Sequence, residues 1–178
     1  DPGMREFLRN IFLECDTEVS IFRDAWVQVG ADDSGKPIMR KLLRKARLDI
    51  VPRRWDFLAD IKTVPMGGAS KMEFQRKLFD MDYHIQAASN LSIARDSGIE
   101  GRVRFLFIVV EREPPFVVAT YSLEHDSNAL RLGALEWERR MATYARCAHE
   151  KHWPGYDPGF NAIDIPPWAV KQYEQEAE

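Results

Sequence analysis

Apolar and polar positions change period along this chain, and each change marks an element. From Met4 to Glu14 the residues Phe7, Leu8, Ile11 and Phe12 recur on one side of a helix. Glu18 to Val29 reads as a strand, Asp32-Asp33-Ser34-Gly35 as a turn, and Leu42 to Val51 and Phe57 to Val64 as two further strands. Pro65-Met66-Gly67-Gly68 breaks the chain, after which Phe74, Leu78, Met81, Ile85 and Ala88 predict one helix with a buried face. Val103 to Val110 is almost continuously apolar, as in a central strand, and Phe116 to Leu123 supplies its neighbour after Pro114-Pro115. Ala134, Trp137, Met141, Tyr144, Ala145 and Ala148 predict the core face of a long helix, followed by a loop and a last short helix near Pro166-Pro167-Trp168. The order is helix, three strands, helix, two strands, helix. It predicts an α/β fold with a mixed central sheet flanked by helices.

Two of these strands carry polar residues where a packed hairpin would be apolar. Ala46, Leu48 and Ile50 alternate with Lys45, Arg47 and Asp49, which turns Asp49 away from the core. In the next strand Asp60 and Lys62 fall on the same face, so pairing of the strands brings Asp49, Asp60 and Lys62 together. Hard cations such as Mg²⁺ are commonly held by one or two carboxylates plus phosphate oxygens, and a neighbouring lysine can stabilise developing charge. A metal-dependent phosphodiesterase site is one reading. A surface hairpin with an Asp–Lys pair is the other, and a three-residue D-x-K pattern alone does not decide between them.

The wider spacing resembles the PD-(D/E)XK nuclease superfamily: Asp49, then Asp60-Ile61-Lys62, with Glu18 upstream and Tyr83-His84-Ile85-Gln86 downstream. Within it the chain is similar to the RecB-like exonucleases of the exodeoxyribonuclease VIII (RecE) type found in phages and prophages. The likeness runs from about Glu18 to Pro166-Pro167-Trp168-Ala169. It implies a restriction-endonuclease-like core, with Asp49 and Asp60 as metal-binding carboxylates, Lys62 as the motif lysine and the Ile61 carbonyl as a further ligand. Glu18 matches an acidic residue that assists the metal. Gln86 matches the glutamine of a Q-x-x-x-Y motif, although Asn90 stands where tyrosine is usual, and Leu48 precedes Asp49 where proline is frequent. Tyr83, one helical turn before Gln86, is a substitute DNA contact, and His84 a further one.

The activity implied is Mg²⁺-dependent (alternatively Mn²⁺-dependent) digestion of double-stranded DNA ends, 5′ to 3′, in recombination. A phage-type annealing recombinase is the implied partner and a homo-oligomer the implied assembly. Two alternatives stand beside this: an endonuclease of the same superfamily, and a noncatalytic DNA-binding or assembly module.

Composition adjusts the picture at three points. With 178 residues and 45% hydrophobic content the chain suits a single domain, 1–178, and its start at Asp1-Pro2-Gly3 without methionine is the form of a domain trimmed from a longer protein. No membrane-length apolar run or signal peptide is visible, so the expected location is cytoplasmic. Two cysteines, Cys15 and Cys147, suit reduced side chains and exclude a four-cysteine iron–sulfur cluster; Cys147, His149 and His152 match no standard zinc spacing. The net charge of −3 does not announce a nucleic-acid binder. Local density matters more, and Lys36, Arg40, Lys41, Arg44, Lys45, Arg47, Arg53 and Arg54 surround Asp49 in sequence. Lys45 and Arg47, on the Asp49 face, are the expected DNA track.

Overall fold

The computed structural model describes residues 2–156 and 159–176; Asp1, Asp157, Pro158, Ala177 and Glu178 lie outside them. Helix α1 (Pro2–Leu13) leads into strands β1 (Cys15–Ala31), β2 (Pro37–Pro52) and β3 (Phe57–Val64). Helices α2 (Lys71–Asp80) and α3 (Tyr83–Arg95) follow, then β4 (Arg104–Glu111), β5 (Val118–Leu123), α4 (Asn128–Glu150) and α5 (Pro167–Glu176). The five strands form one mixed sheet in chain order. β3 and β4 are parallel and the other neighbours antiparallel. This is the expected α/β architecture, and the α2–α3 crossover supplies the connection that a parallel pair requires.

Alternation along β4 sorts the core into two layers. Phe105, Phe107 and Val109 pack with Leu58, Val64, Phe74, Ala87 and Leu130 on the side of α2, α3 and α4. Leu106 and Ile108 face the other side, where they meet Ile50, Phe57, Ala59 and Ile11 of α1. Ser127 caps α4 by accepting a hydrogen bond from the Leu130 N–H at 3.3 Å. Gly133 lets α4 approach α3 closely: a Cβ there would stand 2.3 Å from the His84 carbonyl oxygen.

Several expectations need correction. The single helix expected through Phe74 to Ala88 is two helices, because Asp82 adopts a left-handed backbone, φ 55°, between them. Its carboxylate is held there by Arg140 at 2.7 Å. Ribbon β1–β2 is longer at both ends than its apolar alternation suggested, with a turn closed by Asp32, which accepts from the N–H groups of Ser34 and Lys36. β5 starts at Val118, since Phe116 has φ 56° and its N–H bonds the Glu113 carbonyl in a turn. On α4 the buried residues are Leu130, Gly133, Ala145 and Cys147, whereas Ala134, Tyr144 and Ala148 are exposed. Tyr144 packs instead on Trp153 of the following loop, with ring centroids 5.4 Å apart.

Candidate active site

The site forms where β2 and β3 part. A single Cα pair, Ile50 with Ala59, joins them in the ladder. One residue earlier on β2, the Asp49 carboxylate reaches across and accepts the Ile61 backbone N–H at 3.2 Å. A side chain here does the work of a strand carbonyl, so the strands are held together while their backbones diverge. Two neighbouring details fit this opening. Glu18, which lies between Thr17 (paired with Ile50) and Val19 (paired with Leu48), has a left-handed φ of 57° and makes no ladder pair of its own. Leu48 and Ile50, expected on one face, instead enter opposite core layers.

β3 presents Leu58, Asp60, Lys62 and Val64 to the helix side of the sheet. Leu58 and Val64 enter the core there, and Asp60 is 3% exposed. The Lys62 ammonium lies 2.8 Å from Asp60 Oδ2 and donates a hydrogen bond to Gln86 Oε1, also at 2.8 Å. Gln86 returns its amide N–H to Asp60 Oδ1 at 2.9 Å. Asp60, Lys62 and Gln86 thus close a triangle. Below it, Tyr83 places its ring 4.3 Å from the ammonium, near enough for a cation–π attraction. The first turn of α3 makes this geometry: Tyr83 and Gln86, three residues apart on one helical face, both address Lys62.

Electrostatics at Asp60 are those of a carboxylate taken out of water. Burial pushes its carboxyl above the ordinary aspartate range; Lys62 draws it down, the nearby Asp49 charge pushes it up again, and the Gln86 amide lowers it. The ammonium lies between Oδ2, its ion-pair partner, and Gln86 Oε1, to which it donates. A buried carboxylate is costly unless a cation meets it, and Lys62 is that cation. Among the described residues no three acidic, histidine or cysteine side chains gather as a metal cluster. The carboxylates that approach one another here are Asp49 and Asp60. That set fits a hard cation that keeps several waters and leaves positions for phosphate oxygens, not a closed protein cage.

The other sequence candidates lie at varying distances from this centre. The Glu18 carboxylate pairs with Arg47 and does not join Asp49 and Asp60 in a three-carboxylate group. Lys45 and Arg47 are exposed on β2. Tyr83 is half-buried, with its ring against Phe74 and Phe107 as well as Lys62. His84 points to the opposite side of α3, where Nδ1 is 2.9 Å from the Leu78 carbonyl, the ring stacks on Phe79, and a groove of about 560 Å³ opens. Asn90 is buried within α3. Cys147, His149 and His152 form no metal group, and His149 instead accepts a hydrogen bond from Arg40.

The supporting roles of two residues escaped the sequence reading. Arg44 is almost covered: it bonds Asp96, Ser92 and the Ser89 carbonyl of α3 and lies 5.5 Å from the Trp137 ring centroid, tying the ribbon to α3 and α4. Its signal was an arginine in the apolar period of Leu42, Ala46 and Leu48. Glu111, buried at the end of β4, accepts the Ala69 N–H at 3.2 Å and fixes the loop from β3 to α2.

Residues 38–163 match a family model described as a PDDEXK-like domain of unknown function (DUF3799). The matched region contains Asp49, Asp60, Lys62 and Gln86. No curated protein matches the chain. A crystal structure of a protein called SSO0001 is similar at 17% identity and a TM-score of 0.42, over 83% of this chain and 64% of that one. The chain thus spans less than two thirds of that protein, and a likeness so slight carries no weight for function.

Proposed function

The chain belongs to the PDDEXK-like family DUF3799, within the PD-(D/E)XK nuclease-type superfamily, and from that premise we propose that it is a Mg²⁺-dependent deoxyribonuclease. The observation that carries the reading is the buried Asp60 carboxylate, ion-paired with Lys62 at 2.8 Å and close to Asp49. Asp49 and Asp60 would hold Mg²⁺ or Mn²⁺, with the Ile61 carbonyl as the ligand between them. When bound, such a cation lowers the pKa of water and offsets charge on the scissile phosphate.

The chain's own residues do the rest. Gln86 and Asp60 fix the Lys62 ammonium, and Tyr83 supports it from below. Held there, Lys62 donates to the attacking water or to a non-bridging phosphate oxygen as negative charge grows on it. The water oxygen bonds to phosphorus and gives up a proton to solvent, the bond to one ribose oxygen breaks and that oxygen takes a proton from solvent, and the products are a phosphate end and a hydroxyl end. Arg47 and Lys45, exposed next to Asp49 along β2, supply phosphate contacts that orient the duplex.

The finer reading is a double-stranded DNA exonuclease of the RecE type, running 5′ to 3′ and delivering a 3′ strand to an annealing recombinase, in a homo-oligomer. Its support is the spacing of Asp49, Asp60-Ile61-Lys62 and Gln86. End-labelled linear duplex and a covalently closed circle, each incubated with Mg²⁺, test it. An exonuclease releases 5′ label first and leaves the circle intact; a cut circle makes the enzyme an endonuclease. Asp60→Ala is expected to abolish cleavage with an unchanged circular-dichroism spectrum. Retained Mg²⁺-dependent cleavage by that variant overturns the assignment.

A further inference from the structure

Past Lys62 the helix-side face of β3 continues to Val64, and a second ammonium stands over it. Lys77 of α2 turns its side chain back toward the start of its own helix, as helical side chains do, and ends over the Gly67-Gly68 turn that follows β3. A Cβ added to Gly68 would meet Lys77 Nζ at 3.0 Å, Val64 Cβ at 3.0 Å and the Pro65 carbonyl oxygen at 2.9 Å. The missing side chain of Gly68 is what lets the ammonium come so near the end of β3. Val64 and Phe74, the latter one helical turn before Lys77, belong to the core layer between the sheet and its helices. Lys77 therefore lies on the same side of the sheet as Asp60, Lys62 and Gln86. Lys62 and Val64 are two strand residues apart on that face, about 7 Å.

The ammonium is held in place but unanswered. Lys77 is half-buried. Glu73, four residues before it and so placed to pair with it along the helix, is taken by Arg76 at 3.3 Å. Glu111, the acid that fixes this loop, is buried and accepts the Ala69 N–H. Among the described residues no carboxylate pairs with Lys77, whereas Lys41, Arg44 and Arg47 of the ribbon all have acidic partners. A cation partly withdrawn from water without a counter-charge is ready to take an anion from outside. We propose that Lys77 is a second phosphate contact, holding a linkage of the cleaved strand beyond the scissile one, on the Val64 side of Lys62. The inference rests on the nuclease reading and adds to it the path of the strand, along the β3 face toward the Gly67-Gly68 turn. The two lysines divide the work. Lys62, fixed by Asp60 and Gln86, serves the reacting phosphate. Lys77, a point charge with three donors on a flexible stem, holds a neighbouring one.

The test is binding in EDTA, where cleavage does not intervene, by fluorescence anisotropy. The probes are a short hairpin duplex with one open end and a set of the same hairpin, each with a single neutral methylphosphonate. Lys77→Met keeps an apolar stem over Val64 and removes the charge. It is expected to weaken binding about 10-fold and to lower the slope of log affinity against log salt by about 0.9. It should also become indifferent to one methylphosphonate that weakens the wild-type complex, and Lys77→Arg should restore most of the loss. Unchanged affinity and slope in Lys77→Met overturn the contact. So does a loss that leaves the variant as sensitive as the wild type to every methylphosphonate, which would make Lys77 a structural residue. Cleavage with Mg²⁺ is measured separately. A protein that shows the expected binding pattern but never cuts sinks the nuclease reading and not the contact; one that cuts with no effect of Lys77→Met sinks the contact alone.

Discussion

Gln86 holds both members of the Asp60–Lys62 pair at once, through opposite ends of one amide. Gln86→Ala therefore removes no charge but frees the ammonium to swing away. Supporting partners of metal-site residues typically contribute 10–100-fold in affinity or activity, and a loss of about that size is expected in kcat, with KM for DNA little changed. A variant with full kcat would show that Lys62 needs no such guide. Asp60 leads to a pH prediction. Because its carboxyl titrates above the usual aspartate range, the folded protein binds this proton more tightly than the unfolded chain does. Its contribution to stability is thus full below the ordinary aspartate pKa and is lost as pH rises through the raised value. A metal ion competes with that proton, so Mg²⁺ or Mn²⁺ affinity should fall as pH is lowered through the raised value. Calorimetry should place this limb above the ordinary aspartate value of 3.8; a limb at the ordinary value sinks the idea. Alternation breaks around Asp49, between Leu48 and Ile50, but on β3 it fixes side-chain direction, and the Asp60–Lys62 pair was legible in the sequence. That Asp49 grips the Ile61 N–H was not, since alternation says nothing of how far apart two backbones run.

The elements that aim these side chains depend on one close contact. α3 carries Tyr83 and Gln86, and α4 presses on it through Gly133, where an added Cβ would meet the His84 carbonyl oxygen at 2.3 Å and its carbon at 2.8 Å. Both obstacles are backbone, so neither can rotate away. Gly133→Ala gains about 1 kcal/mol of helix propensity, while forced overpacking costs about 1–3 kcal/mol and more where backbone must shift. A net loss of stability is expected, read as a lower urea midpoint with an unchanged slope. A stabilised variant would mean that the helices separate at little cost. Helix and strand periods made most elements readable, yet two failures at this scale share a cause. The apolar spacing of Phe74 to Ala88 is continuous, while the chain turns at Asp82 because Arg140, far away in sequence, holds its carboxylate. On α4 the expected face held at Ala145 but not at Ala134, Tyr144 and Ala148, because the helix is seated partly through Gly133, which has no side chain to enter an apolar period. Neither a distant ion pair nor a close approach of backbones leaves a periodic trace.

Charge is a property of the whole molecule, and the basic stretch around Asp49 looks different once folded. Lys41 pairs with Asp24, Arg44 with Asp96, Arg47 with Glu18, Arg53 with Asp16 and Arg54 with Glu14. Much of the density that suggested a DNA track is answered by acids from β1, α3 and the end of α1, in keeping with the overall charge of −3. Sequence shows the cations together but not the acids that the antiparallel ribbon sets opposite them. What remains for DNA depends on how firmly each pair is held. Arg47 and Glu18 are 69% and 54% exposed in their side chains, and a pair so solvated is worth about 0–1 kcal/mol. A phosphate that also releases a counterion competes well with it. Arg47→Ala is then expected to weaken duplex binding and to lower the slope of log affinity against log salt by about 0.9, the value for one lost phosphate contact. Glu18→Gln should act in the opposite direction, freeing Arg47 and tightening the complex at low salt. If neither variant moves the salt dependence, Arg47 serves the ribbon and the duplex runs elsewhere.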